Sequence, residues 1–198
     1  MYLINHIQNI DQISQCPLFL INNYQWSGHY RPKTFGQMAI LDDKEVFITM
    51  TSFESNPLRN FIKNDDPVYK DSALEAFLNF NPTVRKEYLN FEMNANAALL
   101  SGFGENRNRS LLSVISQHHA ICDAEIAKDY WKVCLRIPME LICDVYQREE
   151  LQKGDIITCN FYKICEDPEI EHYASYGLID SQMPDFHLSD FFQKAIIK

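Results

Sequence analysis

What the chain lacks narrows it first. No C-x-x-C pair occurs among its six cysteines (Cys16, Cys122, Cys134, Cys143, Cys159 and Cys165), which excludes zinc-ribbon and thioredoxin-like spacings; the even count permits disulfides, but a domain of this size does not depend on them, and free thiols are expected. Neither a G-x-S-x-G nucleophile elbow nor an H-E-x-x-H metal helix is present. Cations are scarce: 18 Lys and Arg against 27 Asp and Glu give a formal net charge of -9. Such a field repels phosphate backbones and anionic lipid, so neither nucleic acid nor a membrane surface is expected as a partner. No apolar run approaches the roughly 20 residues of a bilayer span. The stretch from Met1 to Trp26 has no early Lys or Arg and no small-residue cleavage site. These absences predict a cytoplasmic location, with an extracellular one left open. Repeats, low-complexity tracts and Gly/Ser linkers are missing too, so one domain over residues 1–198 is expected. Tryptophan is rare, with only two residues beside 13 Phe and 10 Tyr.

What is present is alternation. Leu74, Ala76, Leu78 and Phe80 share one face of a strand whose other face carries Ala73, Glu75, Phe77 and Asn79. Leu89, Phe91 and Met93 alternate likewise with Tyr88, Asn90, Glu92 and Asn94, and Asn81-Pro82 supplies turn chemistry for a hairpin. Trp131, Val133, Leu135 and Ile137 mark a further strand, after which Pro138 opens a helix over Met139 to Leu151. Ile156 to Ile164 is β-rich, and short strands are predicted at Gln37 to Leu41, Glu45 to Met50 and Leu111 to Ser116. A second short helix is predicted over Ser189 to Ala195 with Ser189 as N-cap. Many short strands and few helices predict an all-β fold, an antiparallel β-sandwich of immunoglobulin-like or jelly-roll type.

Local catalytic or metal signatures are weak. Gly102-Phe103-Gly104 lacks the rest of a phosphate-binding loop and reads as a tight turn. His118-His119 would point to opposite faces of a strand, and Asp42-Asp43 and Asp65-Asp66 read as turn residues rather than calcium loops. Polar and aromatic residues do concentrate where outward strand faces meet loops: Glu75, Glu92, Arg107, Arg109, Asn160, Tyr162, Lys163, His172, Tyr173, Tyr176, Phe186 and His187. That mixture suits a sugar, whose C–H face packs on a ring while its hydroxyls need planar, multivalent partners.

The ordered series Trp26, Asp66-Pro67-Val68-Tyr69-Lys70-Asp71-Ser72, Glu75, Phe77 and Tyr88-Leu89-Asn90-Phe91-Glu92-Met93-Asn94 resembles family 9-like carbohydrate-binding domains. Gly104 to Arg109, Tyr130-Trp131, Asn160-Phe161-Tyr162-Lys163, His172-Tyr173 and Pro184-Asp185-Phe186-His187 continue the resemblance to about Ile196. It implies a DOMON-like β-sandwich that binds saccharides without cleaving them, linked to catabolism of polysaccharides such as xylan or cellulose, with structural calcium as an optional cofactor. By position, Tyr69 and Phe186 stand where relatives carry two stacking Trp, and Tyr176 stands where many carry Trp. Glu75 matches the family carboxylate, and Glu92 replaces an Arg. The implied ligand set is Tyr69, Tyr176 and Phe186 as walls, with Glu75, Glu92, Arg109, Lys163, His172 and His187 on hydroxyls or loops. Under that reading Phe186→Ala abolishes binding and leaves the melting temperature nearly unchanged. Two alternatives stand beside it: a glycosidase-type enzyme using Glu75 and Glu92, and a vestigial domain used for protein contact. The kind of sugar and the oligomeric state are not fixed by the sequence.

Overall fold

The computed structural model describes residues 1–26 and 28–198. Among these, fourteen strands follow one another: β1 (Tyr2–Ile7), β2 (Leu18–Leu20), β3 (Asn23–Gln25), β4 (Thr34–Leu41), β5 (Glu45–Ser52), β6 (Ala73–Asn79) and β7 (Tyr88–Asn94). Then come β8 (Leu99–Glu105), β9 (Asn108–Leu111), β10 (Ile121–Ile126), β11 (Trp131–Pro138), β12 (Ile156–Cys165), β13 (His172–Ser175) and β14 (Gln193–Ile197). Two short helices, α1 (Leu112–Ile115) and α2 (Met139–Tyr146), interrupt them.

The strands form a sandwich of two sheets joined at one strand. The first sheet runs β9-β8-β7-β6-β12-β14, with β13 and then β3 attached beside the second half of β12. The other runs β10-β11-β5-β4, with β2 alongside β4. β1 belongs to both: Tyr2 to Ile4 pair with β14, and Asn5 to Ile7 pair with β4. A strand that changes sheets makes the corner of the sandwich. Both β1 pairings are parallel, so the sheet is mixed at this corner rather than purely antiparallel as the alternation suggested. Hydrophobic pattern fixes which residues face inward but not the direction of the partner strand.

Between the sheets lies the core. Leu74, Ala76 and Leu78 of β6 and Leu89, Phe91 and Met93 of β7 point inward, against Met38, Ile40, Ile48 and Met50 of the opposite sheet. Phe19 stacks on Phe161 across the gap, ring centroids 3.8 Å apart. Burial of each such side chain stabilises by about 2 kcal/mol. The outward face of the first sheet is covered as well. Ala73, Phe77, Tyr88, Tyr162 and Ile164 form a second apolar layer, roofed by Ile179, Phe186 and Phe192 from the C-terminal segment.

Three local expectations change. Leu111 to Ser116 is not a strand: only Leu112 is buried, Val114 is exposed, and the segment winds into the single turn α1. Ser189 to Ala195 is not a helix either. A 3-10 turn (Ser189–Phe191), with Leu188 and not Ser189 at its N-cap, gives way to β14, whose Ala195 and Ile197 alternate into the core. α2 stops at Tyr146 because Gln147 turns left-handed, φ 50°, short of Leu151. All six cysteines are free thiols in the structure.

Candidate functional site

Strand parity builds the site. The residues of β6 and β7 that do not face the core project outward, and register sets Glu75 directly opposite Glu92. Side chains paired in this way have Cβ atoms about 5 Å apart. On the next strand the outward positions beside Asn90 and Tyr88 are Gly102 and Gly104. They are strand residues, not the tight turn expected. A Cβ at Gly104 would collide with the backbone of Asn108 and Arg109, and one at Gly102 would lie 2.8 Å from Asn90 Oδ1. The two glycines therefore clear a path over which Arg109, from β9, reaches Glu92, with Nη1 3.6 Å from Oε1.

These three groups floor a cavity of about 220 Å³, whose walls include Tyr69, Phe186, Tyr173 and His187. Tyr69 is carried by a 3-10 turn (Val68–Lys70) held in place from below. There the buried Asp71 carboxylate accepts hydrogen bonds from the Asn60 and Phe61 amides and from Asn94 Nδ2, at 2.8 to 3.0 Å. Phe186 stacks on Tyr162 at 4.1 Å and touches Trp26 at 5.9 Å. His187 lies on Phe77 at 4.8 Å, and its Nδ1 meets Tyr88 Oη at 2.8 Å.

Electrostatics sharpen the floor. Glu75 is 3% exposed, lines the cavity, and accepts no hydrogen bond from any described residue. Burial first, and the nearby Glu92 second, push its carboxyl well above the usual range. Glu92 is raised to about 7 by burial, against the opposing pull of Arg109 and of the Asn90 amide that donates to it at 3.0 Å. His187 is lowered to about 3 by burial and the charges of Arg109 and Arg107.

Of the sequence-derived ligand residues, Tyr69, Glu75, Glu92, Arg109, Phe186 and His187 meet at this cavity. Lys163, His172 and Tyr176 do not. On β12, Ile157, Cys159 and Phe161 face the core, so Lys163 does too, and it is fully buried. Its Nζ lies 3.2 Å from Glu54 Oε2 and donates to Ser72 Oγ at 2.7 Å and His172 Nε2 at 2.8 Å. His172 donates from Nδ1 to the Ile170 carbonyl. Both residues thus belong to an internal ionic cluster. Tyr176 packs against Phe19 and Phe161. Phe186 is buried at 6% exposure, so the expectation that its removal leaves stability unchanged is withdrawn. Tyr173 and Arg107, named above among the polar and aromatic residues but outside the ligand set, line the cavity too, as do Asp185 and Glu166. Register pairs Tyr173 with outward Ile164 and His172 with Cys165, so parity puts Tyr173 and not His172 on the cavity face.

Among the described residues no group of three or more His, Cys, Asp or Glu is placed to hold a metal. Asp42 pairs with Lys44, Asp43 with His6, and Asp65 accepts from Ser113. His118 and His119 lie in the loop before β10, where His118 faces Asp144 at 3.7 Å. No helix of the described residues is long and apolar enough to cross a membrane.

A sandwich with one concave, aromatic-walled and carboxyl-floored cavity on its sheet face defines a small-ligand-binding β domain. The family profile described as carbohydrate-binding family 9 matches residues 4–196, and the chain belongs to that family. No curated protein matches it. Among solved structures it is similar to a proposed carbohydrate-binding protein from Bacteroides uniformis ATCC 8492, at 17% identity and TM-score 0.81, covering 99% of this chain and 98% of that one. It is also similar to a family 9 carbohydrate-binding module from Caldicellulosiruptor kristjanssonii solved with glucose, at 12% identity and TM-score 0.70, covering 99% and 94%. The same organism's module solved with cellotriose gives 11% identity and TM-score 0.71, covering 100% and 93%.

Proposed function

We propose that the cavity over Glu75, Glu92 and Arg109 binds a sugar ring at the end of a saccharide and does not cleave it. The observation that carries this reading is the unbonded Glu75 carboxyl at the floor of an aromatic-walled cavity. A pyranose satisfies both features, since its hydroxyls donate to the carboxyl and its C–H face lies on Tyr69. Relatives solved with glucose and cellotriose support the choice of a hexose unit. At about 220 Å³ the cavity is smaller than a common small-molecule site, which runs upward from ~300 Å³, and this size favours one ring.

A glycosidase reading fares worse. Hydrolysis needs two carboxyls flanking the scissile bond, whereas Glu75 and Glu92 rise side by side from adjacent strands on one floor. Titration of the protein with glucose, cello-oligosaccharides and xylo-oligosaccharides, followed by calorimetry or amide NMR, tests the proposal. Saturable binding that Tyr69→Ala weakens about fivefold to tenfold is expected, the loss of one stacking ring. Absence of binding across the panel, or turnover of aryl glycosides that Glu75→Gln abolishes, would overturn it.

A further inference from the structure

The cavity floor holds two carboxyls and one guanidinium. Glu92 has Arg109 as its counter-cation at 3.6 Å. Glu75 stands opposite Glu92 in the sheet, nine-tenths buried and more, with neither a hydrogen-bond donor nor a cation of its own. Arg109 cannot serve both fully, and its Nη1 is itself buried without a hydrogen-bonded partner. The other charged groups around Glu75 do not fill the gap. Glu166, just beyond β12, adds a further negative charge at the cavity wall. Lys163, on the opposite face of the same sheet, is bound to Glu54. Arg107 is paired with Asp185 at 3.1 Å. His187 stays neutral beneath its neighbours.

We propose that this cavity selects saccharides bearing a free amine, a hexosamine end rather than a neutral hexose, with the ligand ammonium set between Glu75 and Glu92. The inference rests on the saccharide reading and specifies its ligand class. A sugar ammonium completes the floor as two cations facing two carboxylates, while the ring carbons still meet Tyr69 and Phe186. An N-acetylated sugar lacks that charge. It would bring an amide and a methyl group over two carboxyls, which is a poorer match.

Proton balance gives a second signature. In the free protein burial raises both carboxyls, Glu92 to about 7 and Glu75 well above the usual range, so below neutral pH the pair holds a proton that an added cation displaces. When an ammonium takes its place beside Glu75, that proton passes to solvent and the carboxylate that remains holds the ligand. Binding of an amino sugar is therefore accompanied by proton release, whereas binding of a neutral sugar leaves the proton where it is.

Calorimetry at about pH 5.5, low enough that a sugar amine, made less basic than an alkyl amine by its neighbouring oxygens, is an ammonium, tests this with the intact chain in two buffers of different ionisation enthalpy. The ligands are a glucosamine trimer, the N-acetylglucosamine trimer and cellotriose. We expect the glucosamine trimer to bind about tenfold tighter than the other two, from one charge-assisted contact. The buffer difference should show proton release with that ligand alone. Glu75→Gln should reduce the preference for the glucosamine trimer over cellotriose to near unity, read as the ratio of the two affinities within the variant, while the affinity for cellotriose itself also falls. Cellotriose or the acetylated trimer binding as tightly as the free amine, or amine binding without proton release, overturns the proposal while the saccharide reading stands. Failure of all three to bind overturns both. The proton-release measurement is made on the unmodified protein, so it decides even if the variant does not fold.

Discussion

Replacing Lys163 by methionine removes the cation from a cluster sealed inside the sandwich. Its Nζ is fully buried, 3.2 Å from Glu54 Oε2, and Glu54 is 3% exposed and also accepts from Ser72 and from Trp131 Nε1 at 2.8 Å. Burial alone would raise the Glu54 carboxyl, but Lys163, Trp131 and Ser72 outweigh it and hold it near 2. Methionine fills much of the lysine volume, so the change is chiefly the stranded carboxylate. Breaking a buried pair in this way costs about 3 to 5 kcal/mol, which for a chain of this length lowers Tm by about 10 °C. The sign of the pH response follows. In the parent, Glu54 has a depressed pKa, so its stabilisation is present above the unfolded value of 4.5 and is lost as pH falls toward 2. In the variant Glu54 loses its cation and its pKa rises. The penalty is then largest at neutral pH and shrinks as acid protonates the carboxyl. Thermal and urea unfolding between about pH 4 and 8 read this out. The double variant Lys163→Met, Glu54→Gln should recover most of the loss, because no charge is left unpaired. A loss below about 1 kcal/mol for the single change, or a double variant as unstable as the single, would refute the reasoning.

Phe186→Ala should cost about 3 kcal/mol, because the ring is 6% exposed and stacks on Tyr162. Saccharide binding should fall with it, and unfolding curves measured beside sugar titrations check both. Gly104→Ala should destabilise by about 1 to 3 kcal/mol and weaken sugar binding together, since its Cβ meets the backbone that carries Arg109. Normal affinity in that variant would show that Arg109 is not positioned through β8. Stability of the parent should vary little between about pH 6.5 and 4.5. His172, lowered to about 4 by burial and Lys163, and His187, lowered to about 3, lose stabilisation as pH falls below 6.5. Glu75 and Glu92, both raised, gain it over the same interval as pH falls. Below about pH 4.5 Glu75 and Glu92 contribute no further gain, and the stabilisation held by the ionised Glu54 is lost as pH falls toward 2, so a steep fall should follow. A chemical-denaturation series in pH steps measures this profile, and a steady decline from pH 6.5 would contradict it.

Much of the site was already legible in the alternation of two strands. Glu75 and Glu92 occupy outward positions because Leu74 and Ala76, and Phe91 and Met93, must face inward, and nothing but the period of two was needed to see it. The same rule applied to Ile157, Cys159 and Phe161 places Lys163 indoors. A lysine amid β-branched and aromatic neighbours looks like a surface residue unless parity is followed to the end of the strand. His172 and Tyr173 differ by one position, and so by one face of the sheet.

Composition and pattern determined that this chain is a β-sandwich with an apolar interior and a family 9 signature spread over most of its length. Only the tertiary structure decided three things. β1 divides its hydrogen bonds between two sheets in parallel, its first half on β14 and its second on β4. The C-terminal segment lies back over the first sheet and makes Phe186 both wall and buried anchor. Arg109 reaches Glu92 across two glycines and leaves Glu75 uncompensated. These contacts join residues far apart in the chain, and local propensity carries no information about which distant charge a buried carboxyl will meet.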